Sequence, residues 1–173
     1  MLKVQDILNR YSHLSREEFL EKVKWEWLVT DSKAEIDDED AKTTVFKLQN
    51  MDRIKEMAQD HVFDLSTPEL QVYPLIKRIP NPNSPVITVG RAKTNDIVIP
   101  DNSVSKVHAY FSINESSGRR VIYDMDSTNG TYLRGERLIP HVAYPLKTGD
   151  RIIFGNVAYT YFTARSFYDV FLS

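Results

Sequence analysis

Short apolar runs fill the second half of the chain. They are rich in β-branched and aromatic residues and are closed off by Gly, Pro, Asn, Asp or Ser, at 86–89, 97–99, 107–113, 121–123, 131–133, 151–154 and 158–162. Runs this short and this close together predict a β-sandwich rather than a parallel sheet alternating with helices. Just ahead of them, 72–79 reads as extended. Pro74 confines that stretch to an edge or a strand end because proline has no amide to give a ladder. Asn81-Pro82-Asn83-Ser84-Pro85 reads as a turn.

The first half follows a different period. Ser15-Arg16-Glu17-Glu18 fits a capping box, in which a serine and a glutamate satisfy two orphan amides at a helix start. Phe19, Val23 and Trp27 recur at i, i+4 and i+8 and predict an apolar helical stripe. Leu48, Met51, Ile54, Ala58 and Val62 predict a second helix, which Thr67-Pro68 ends. Between the two stripes, 31–42 carries the acidic run Asp37-Asp38-Glu39-Asp40 and reads as a solvated loop. Tyr11, Phe19, Trp25, Trp27, Met51 and Met57 read as core. Phe167, Val170, Phe171 and Leu172 predict a short helix packing back on a core. The expected organisation is a helical segment over 1–70, a sandwich over 71–164 and an apolar tail over 165–173. The fold class is mainly β, α+β overall.

Composition narrows the function. The chain has 173 residues, no cysteine and a net charge of −2. The missing cysteine excludes disulfide scaffolds, thiolate metal sites and cysteine nucleophiles. The balanced charge argues against a broad nucleic-acid footprint. No apolar run approaches the roughly 20 residues of a membrane helix, so a soluble, cytoplasmic protein with no nucleic-acid or membrane partner is expected. Charge is unevenly placed: residues 1–75 hold 16 acidic and 10 basic side chains, net −6, while 76–173 hold 8 acidic and 12 basic, net +4. All six glycines lie beyond residue 89. Opposite charge and different turn chemistry separate the two halves, and their attraction favours docking in a salt-dependent way.

Three loops of the β half concentrate hydrogen-bond donors: Gly90-Arg91, Ser103-Val104-Ser105-Lys106-Val107-His108 and Ser127-Thr128-Asn129-Gly130-Thr131. Loops at one end of a sandwich cluster in space. Together these would offer a guanidinium, an ammonium, hydroxyls and an amide, with Asp96, Asp124 and Asp126 nearby to oppose them. That donor set suits a phosphate, because arginine presents a planar fork to two oxygens while hydroxyls and amides fill the remaining lone pairs.

The ordered set Gly90-Arg91, Ser105-Lys106-Val107-His108, Ser127-Thr128-Asn129-Gly130-Thr131, Gly149-Asp150-Arg151-Ile152 and Phe154-Gly155 resembles the forkhead-associated domain, a phosphothreonine-recognition module. The resemblance covers about 72–163. It implies a sandwich of about eleven strands with ligand bound on loops at one end. It implies that Arg91 and Ser105 contact phosphate, that Lys106 supplies a second cation, and that Thr128 lies in the same loop shell. By the same pattern Asn129 holds the peptide backbone, His108 braces the loop without touching ligand, Gly90 and Gly130 are loop-bracing glycines with Gly130 in a turn, and Ser103 lies near a position that helps choose the peptide residue three places after the phosphothreonine. Small bacterial regulators of this family carry a kinase-targeted threonine pair ahead of the domain, which makes Thr43 and Thr44 candidate phosphosites. The expected function is that of an adaptor or regulator in Ser/Thr-kinase signalling. Its partner would be a phosphothreonine-containing protein or a Ser/Thr kinase.

Other readings compete. Arg91 alone could be a surface arginine pairing with Asp96. Ser105 and Thr128 could only cap turns, and Asn129-Gly130 is also a hairpin signal. Ser105 and His108 with an aspartate could suggest a hydrolase. However, residues three apart entering a strand tend to opposite faces, and no nucleophile elbow is present. The acidic run lacks the spacing of a calcium loop, and Gly90-Arg91-Ala92-Lys93 lacks the rest of a P-loop. No enzyme, cofactor or metal is expected. The alternative from another class is phosphate-independent scaffolding through a sandwich face or the helical segment.

Overall fold

The computed structural model describes residues 2–30, 70–78 and 84–173. Thr43, Thr44, the acidic run and the second helical stripe lie outside the described residues. In chain order the elements are β1 (Leu2–Lys3), α1 (Val4–Tyr11), α2 (Arg16–Lys22), β2 (Trp27–Thr30), β3 (Gln71–Pro74), β4 (Ile87–Gly90), β5 (Ile97–Val98), β6 (Ala109–Ile113) and β7 (Arg120–Asp124). They continue with β8 (Thr131–Leu133), β9 (Glu136–Arg137), β10 (Tyr144–Pro145), β11 (Arg151–Phe154), β12 (Val157–Phe162) and α3 (Ala164–Phe171).

The strands form two packed sheets. One runs β1-β3-β2-β12-β11-β8-β9 and the other β10-β7-β6-β4-β5. Among the described residues all strand pairings are antiparallel except β4 with β5. Between the sheets lies a core that includes Leu28, Val89, Phe111, Ile122, Ile152, Phe154 and Tyr159. A second core covers the outer face of the seven-stranded sheet. There Val4, Ile7, Phe19, Val23 and Phe167 from the helical segments meet Trp27, Val29, Val72 and Phe162 from the strands. Along β2, Leu28 enters the inner core while Trp27 and Val29 enter the outer one, as the two-residue period of a strand requires. Both faces of β2 are covered, which is why it reads as a continuous apolar run.

One sequence expectation fails at Trp27. Helix α2 is capped as expected: the Ser15 hydroxyl accepts from the Glu18 amide and the Glu18 carboxylate accepts from the Ser15 amide. The helix stops at Lys22, however, with Val23 extended at φ −104°, ψ 103°. Trp27 then opens a strand that pairs with both β3 and β12. The run Trp27-Leu28-Val29-Thr30 is aromatic and β-branched, and a slot between two strands outweighs the weak preference for one more helical turn. Residues 1–70 therefore supply strands β1 and β2 to the sheet as well as helices α1 and α2. Residues 31–69 connect two neighbouring antiparallel strands.

At the other end of the chain, α3 docks against α2. Phe167 stacks on Trp27 at 4.7 Å between ring centroids, and an exposed fork joins Arg16 to Asp169 at 2.8 and 2.9 Å. Arg120 of β7 makes a second fork to Glu26, just ahead of β2, at 3.2 and 2.8 Å.

Strand β2 ends at a specific end of the sandwich. Thr30 pairs opposite Tyr159. β12 starts just after Gly155 and Asn156, whose amides donate to Gly130 O and to the Ser103 hydroxyl. Thr30 thus lies at the end of the sandwich that carries the three donor-rich loops.

Candidate functional site

The three loops meet, and backbone contacts hold them together. Gly90 closes β4 against the 103–108 loop; a Cβ at Gly90 would collide with the Lys106 carbonyl, so the approach needs a glycine. The Arg91 amide donates to Ser105 O at 2.9 Å and the Ala92 amide to Lys106 O at 3.1 Å. Asn95, buried below, sends its amide nitrogen to Ala92 O at 2.8 Å and to Lys106 O at 2.7 Å.

Arg91 lies across this loop with Nε donating to Val104 O at 3.1 Å. Among the described residues it forms no ion pair. Its expected competitor, Asp96, is engaged elsewhere. Its carboxylate accepts from Lys77 Nζ at 2.8 Å and from the Arg78 and Thr88 amides at 2.8 and 2.9 Å. Neither Asp96 nor Asp124 opposes the cradle in the way the sequence suggested. Asp124 is buried beneath the third loop, where it accepts from the Ser127 amide at 3.0 Å, the Ser127 hydroxyl at 2.6 Å and the Thr131 hydroxyl at 2.6 Å. Its charge is spent on holding that loop in shape.

The second and third loops touch at Ser105 and Thr128. The Thr128 amide donates to the Ser105 hydroxyl at 3.0 Å, and the two hydroxyls lie 3.4 Å apart. Asn129 donates through Nδ2 to Ser103 O at 2.8 Å, which orients its side chain and leaves an N–H and the carbonyl oxygen for other use. Ser103 is itself held by Asp101, whose carboxylate accepts from its amide and hydroxyl. Lys106 is exposed, with its side chain in no ion pair among the described residues.

His108 sits underneath, fully buried. Its Nδ1 accepts from the Ser105 amide at 3.0 Å, and its Nε2 lies 3.1 Å from Gly130 O. These partners fix the neutral tautomer with the proton on Nε2, so the ring clamps two loops from below. Burial pushes its pKa down; the Gly130 carbonyl and the Asp124 charge act the other way and are outweighed. The imidazole faces the Ser105 backbone and not its hydroxyl, so no base activates that oxygen. The hydrolase alternative therefore lacks its geometry.

Arg91, Ser105, Thr128 and Asn129 thus fall into one shell, with His108, Gly90 and Gly130 beneath or beside it. Sequence reasoning missed the bracing by Asp124, Asn95 and Asp101. It also missed Arg137 of β9, whose guanidinium lies over Gly130. Those partnerships span 2 to 11 positions, and the Ser103–Asp101, Asn95–Ala92 and Ser127–Asp124 contacts are local enough for a turn signal to have flagged them.

Comparison with known proteins agrees with this arrangement. Residues 87–155 match the family described as the FHA domain. The oxoglutarate dehydrogenase inhibitor of Corynebacterium glutamicum is 39% identical over 87 residues, 47% of this chain and 57% of the relative. The DNA damage response protein kinase DUN1 of Saccharomyces cerevisiae is 37% identical over 78 residues, 42% of this chain and 15% of the kinase. The match thus spans less than two thirds of either relative. Among solved structures, the FHA domain of an Arabidopsis thaliana hypothetical protein aligns at 30% identity and a TM-score of 0.45, covering 54% of this chain and 74% of that one. The FHA domain of the Chlamydia trachomatis protein CT664 aligns at 16% identity and a TM-score of 0.49, covering 80% and 96%. With its loops assembled as described, the segment 87–155 of this chain matches the forkhead-associated (FHA) domain family.

Proposed function

We propose that this chain is a phosphothreonine-peptide binding module that acts as an adaptor or regulator in Ser/Thr-kinase signalling. The observation that carries the reading is the convergence of Arg91, Ser105 and Thr128 around one exposed point with no carboxylate paired to the guanidinium among the described residues. A phosphothreonine brings a charge of about −1.5 to −2 at pH 7 and three acceptor oxygens. Arg91 would give its Nη groups to two oxygens, and the Ser105 hydroxyl would turn from Thr128 to the third. Lys106 would add charge from the rim, and Asn129 would hold the peptide backbone. Three charge-assisted hydrogen bonds at about 1.5–3 kcal/mol each supply roughly 5–9 kcal/mol, so a micromolar complex, about −8 kcal/mol, also needs the Lys106, Asn129 and peptide-backbone contacts to offset the ordering of the peptide. The module binds and does not turn over substrate. Its partners would be a phosphothreonine-containing protein and a Ser/Thr kinase.

Isothermal titration with a phosphothreonine peptide and its unmodified twin tests this, with Arg91→Ala and Ser105→Ala as controls. Binding of the phosphopeptide alone, lost in Arg91→Ala, supports the reading. Equal affinity for both peptides would leave phosphate-independent scaffolding in its place. The same reading makes Thr43 and Thr44 kinase targets that compete with partners. Mass mapping after kinase treatment tests that, and an unmodified pair would end it.

A further inference from the structure

Of the nine asparagines in the chain, Asn129 alone is followed by glycine. That pair carries chemistry of its own. The backbone nitrogen of the glycine can attack the asparagine Cγ, because a residue without a Cβ leaves that nitrogen unshielded. A folded turn suppresses the attack when it ties up the nitrogen and the side chain in hydrogen bonds. Here neither restraint is complete. The Gly130 N–H donates to nothing among the described residues, although the Gly130 carbonyl accepts from the Gly155 amide at 3.1 Å and from His108 Nε2 at 3.1 Å. The Asn129 side chain is half-buried and makes one contact, Nδ2 to Ser103 O at 2.8 Å; its carbonyl oxygen accepts from nothing among the described residues. The fold also keeps the glycine in place. Gly130 has φ +85°, and a Cβ there would stand 2.5 Å from Arg137 Nε. That contact puts the guanidinium within about 5.5 Å of the Gly130 nitrogen. A cation at such range favours the deprotonated amide that attacks.

We infer that Asn129 is a self-modification site whose deamidation disarms the cradle; the consequence for binding rests on the proposed phosphothreonine site. The Gly130 nitrogen gives up its proton and bonds to Asn129 Cγ. The Cγ–Nδ2 bond breaks, and Nδ2 takes up a proton and leaves as ammonia. Water then opens the five-membered imide at one of its two carbonyls, giving an aspartyl or an isoaspartyl linkage. Either product replaces the Nδ2 donor with a carboxylate that repels the Ser103 carbonyl, so the contact between the 103–108 and 127–131 loops is lost. Either also sets a negative charge one residue from Thr128, where the phosphate would sit, and the isoaspartyl form lengthens the turn by one backbone atom. Affinity for a phosphothreonine peptide should fall by about tenfold or more. A bound peptide that engages the carboxamide holds it away from Gly130 nitrogen, so occupied chains last longer than idle ones.

The test is incubation of the whole folded chain in mildly alkaline buffer, with and without a saturating phosphothreonine peptide. Peptide mapping by mass spectrometry follows amide-to-acid conversion at every asparagine, and isoaspartyl residues are counted by enzymatic carboxyl methylation. Asn129 should convert faster than any other asparagine, give both linkages, and slow when the peptide is present. Arg137→Ala, with folding checked by thermal unfolding, should convert about two- to five-fold more slowly. The converted chain, separated by anion exchange, should bind the phosphopeptide at least tenfold more weakly than the parent, as Asn129→Asp should. An Asn129 that stays an amide while other asparagines convert overturns the inference, and so does a converted chain that binds as the parent does. Both results leave the phosphothreonine site standing. A parent that binds phosphorylated and unphosphorylated peptides equally overturns that site, and with it the loss of binding assigned to conversion.

Discussion

His108 makes a sharp test because its role is mechanical and its two contacts are separable. Replacing it with leucine removes the acceptor of the Ser105 amide and one of the two donors to Gly130 O, while the Gly155 amide still reaches that carbonyl. One lost hydrogen bond costs about 1 kcal/mol and one donor left without an acceptor about 1–2 kcal/mol, so His108→Leu should lower the unfolding free energy by about 2–3 kcal/mol. His108→Asn places an oxygen near the Nδ1 position and should recover roughly half of that loss, about 1 kcal/mol. Urea unfolding measures both. Because Ser105 and Thr128 are held in place through this ring, phosphopeptide affinity should also fall in His108→Leu, by about five-fold or more, although the ring touches no ligand. The pH dependence carries the sign. Burial depresses the histidine pKa in the folded state, so below the ordinary value of 6.5 the unfolded chain takes up the proton first. Stability contributed by neutral His108 is complete above pH 6.5. It is lost as pH falls through the folded-state value, at up to about 1.4 kcal/mol per pH unit. The excess slope of the parent over His108→Asn between pH 7 and 5 reads this directly. A leucine variant within about 0.5 kcal/mol of the parent, with no difference in slope, would refute the clamp.

Further outcomes follow from the packing and the buried hydrogen bonds. Trp27→Ala should cost about 3–5 kcal/mol, since the ring is 1% exposed and stacked on Phe167. Trp27→Phe should stay within about 1.5 kcal/mol, because it also removes an indole N–H that has no hydrogen-bond partner; urea unfolding of both separates ring from polar atom. A chain cut to 71–164 should fail to unfold cooperatively in a thermal melt. Without β2 it leaves β3 and β12 with unpaired edges and opens both cores, and a sharp transition in that fragment would contradict the shared sheet. Asp124→Ala should weaken phosphopeptide binding although the carboxylate is buried, because three donors lose their acceptor; titration at a temperature where the variant is folded checks it.

Much of the architecture was legible because its signals are local. Strands β4 to β8, β11 and β12 announce themselves by β-branched runs between turn residues, and Ser15-Arg16-Glu17-Glu18 marked the start of α2 to the residue. Strands β1, β9 and β10 are two residues each, too short to show any period. Trp27 misled because three apolar residues four apart fit a helix, and nothing local reveals a waiting slot between β3 and β12. At the site, Arg91, Ser105, Thr128 and Asn129 stood in ordered motifs. Their supports did not, since whether Asp124 opposes an anion or props a loop depends on which donors the fold aims at it. Arg137 was invisible for the same reason: a guanidinium two strands along from Asn129 reaches Gly130 only once β8 and β9 pair.

The most direct measurement is an amide chemical-shift titration of the whole chain with a phosphothreonine peptide. The account expects the largest shifts at the Arg91, Ser105, Thr128 and Asn129 amides, with the residues of α1, α2 and α3 unmoved. Shifts confined to the helical face, or equal shifts with the unphosphorylated peptide, would contradict it.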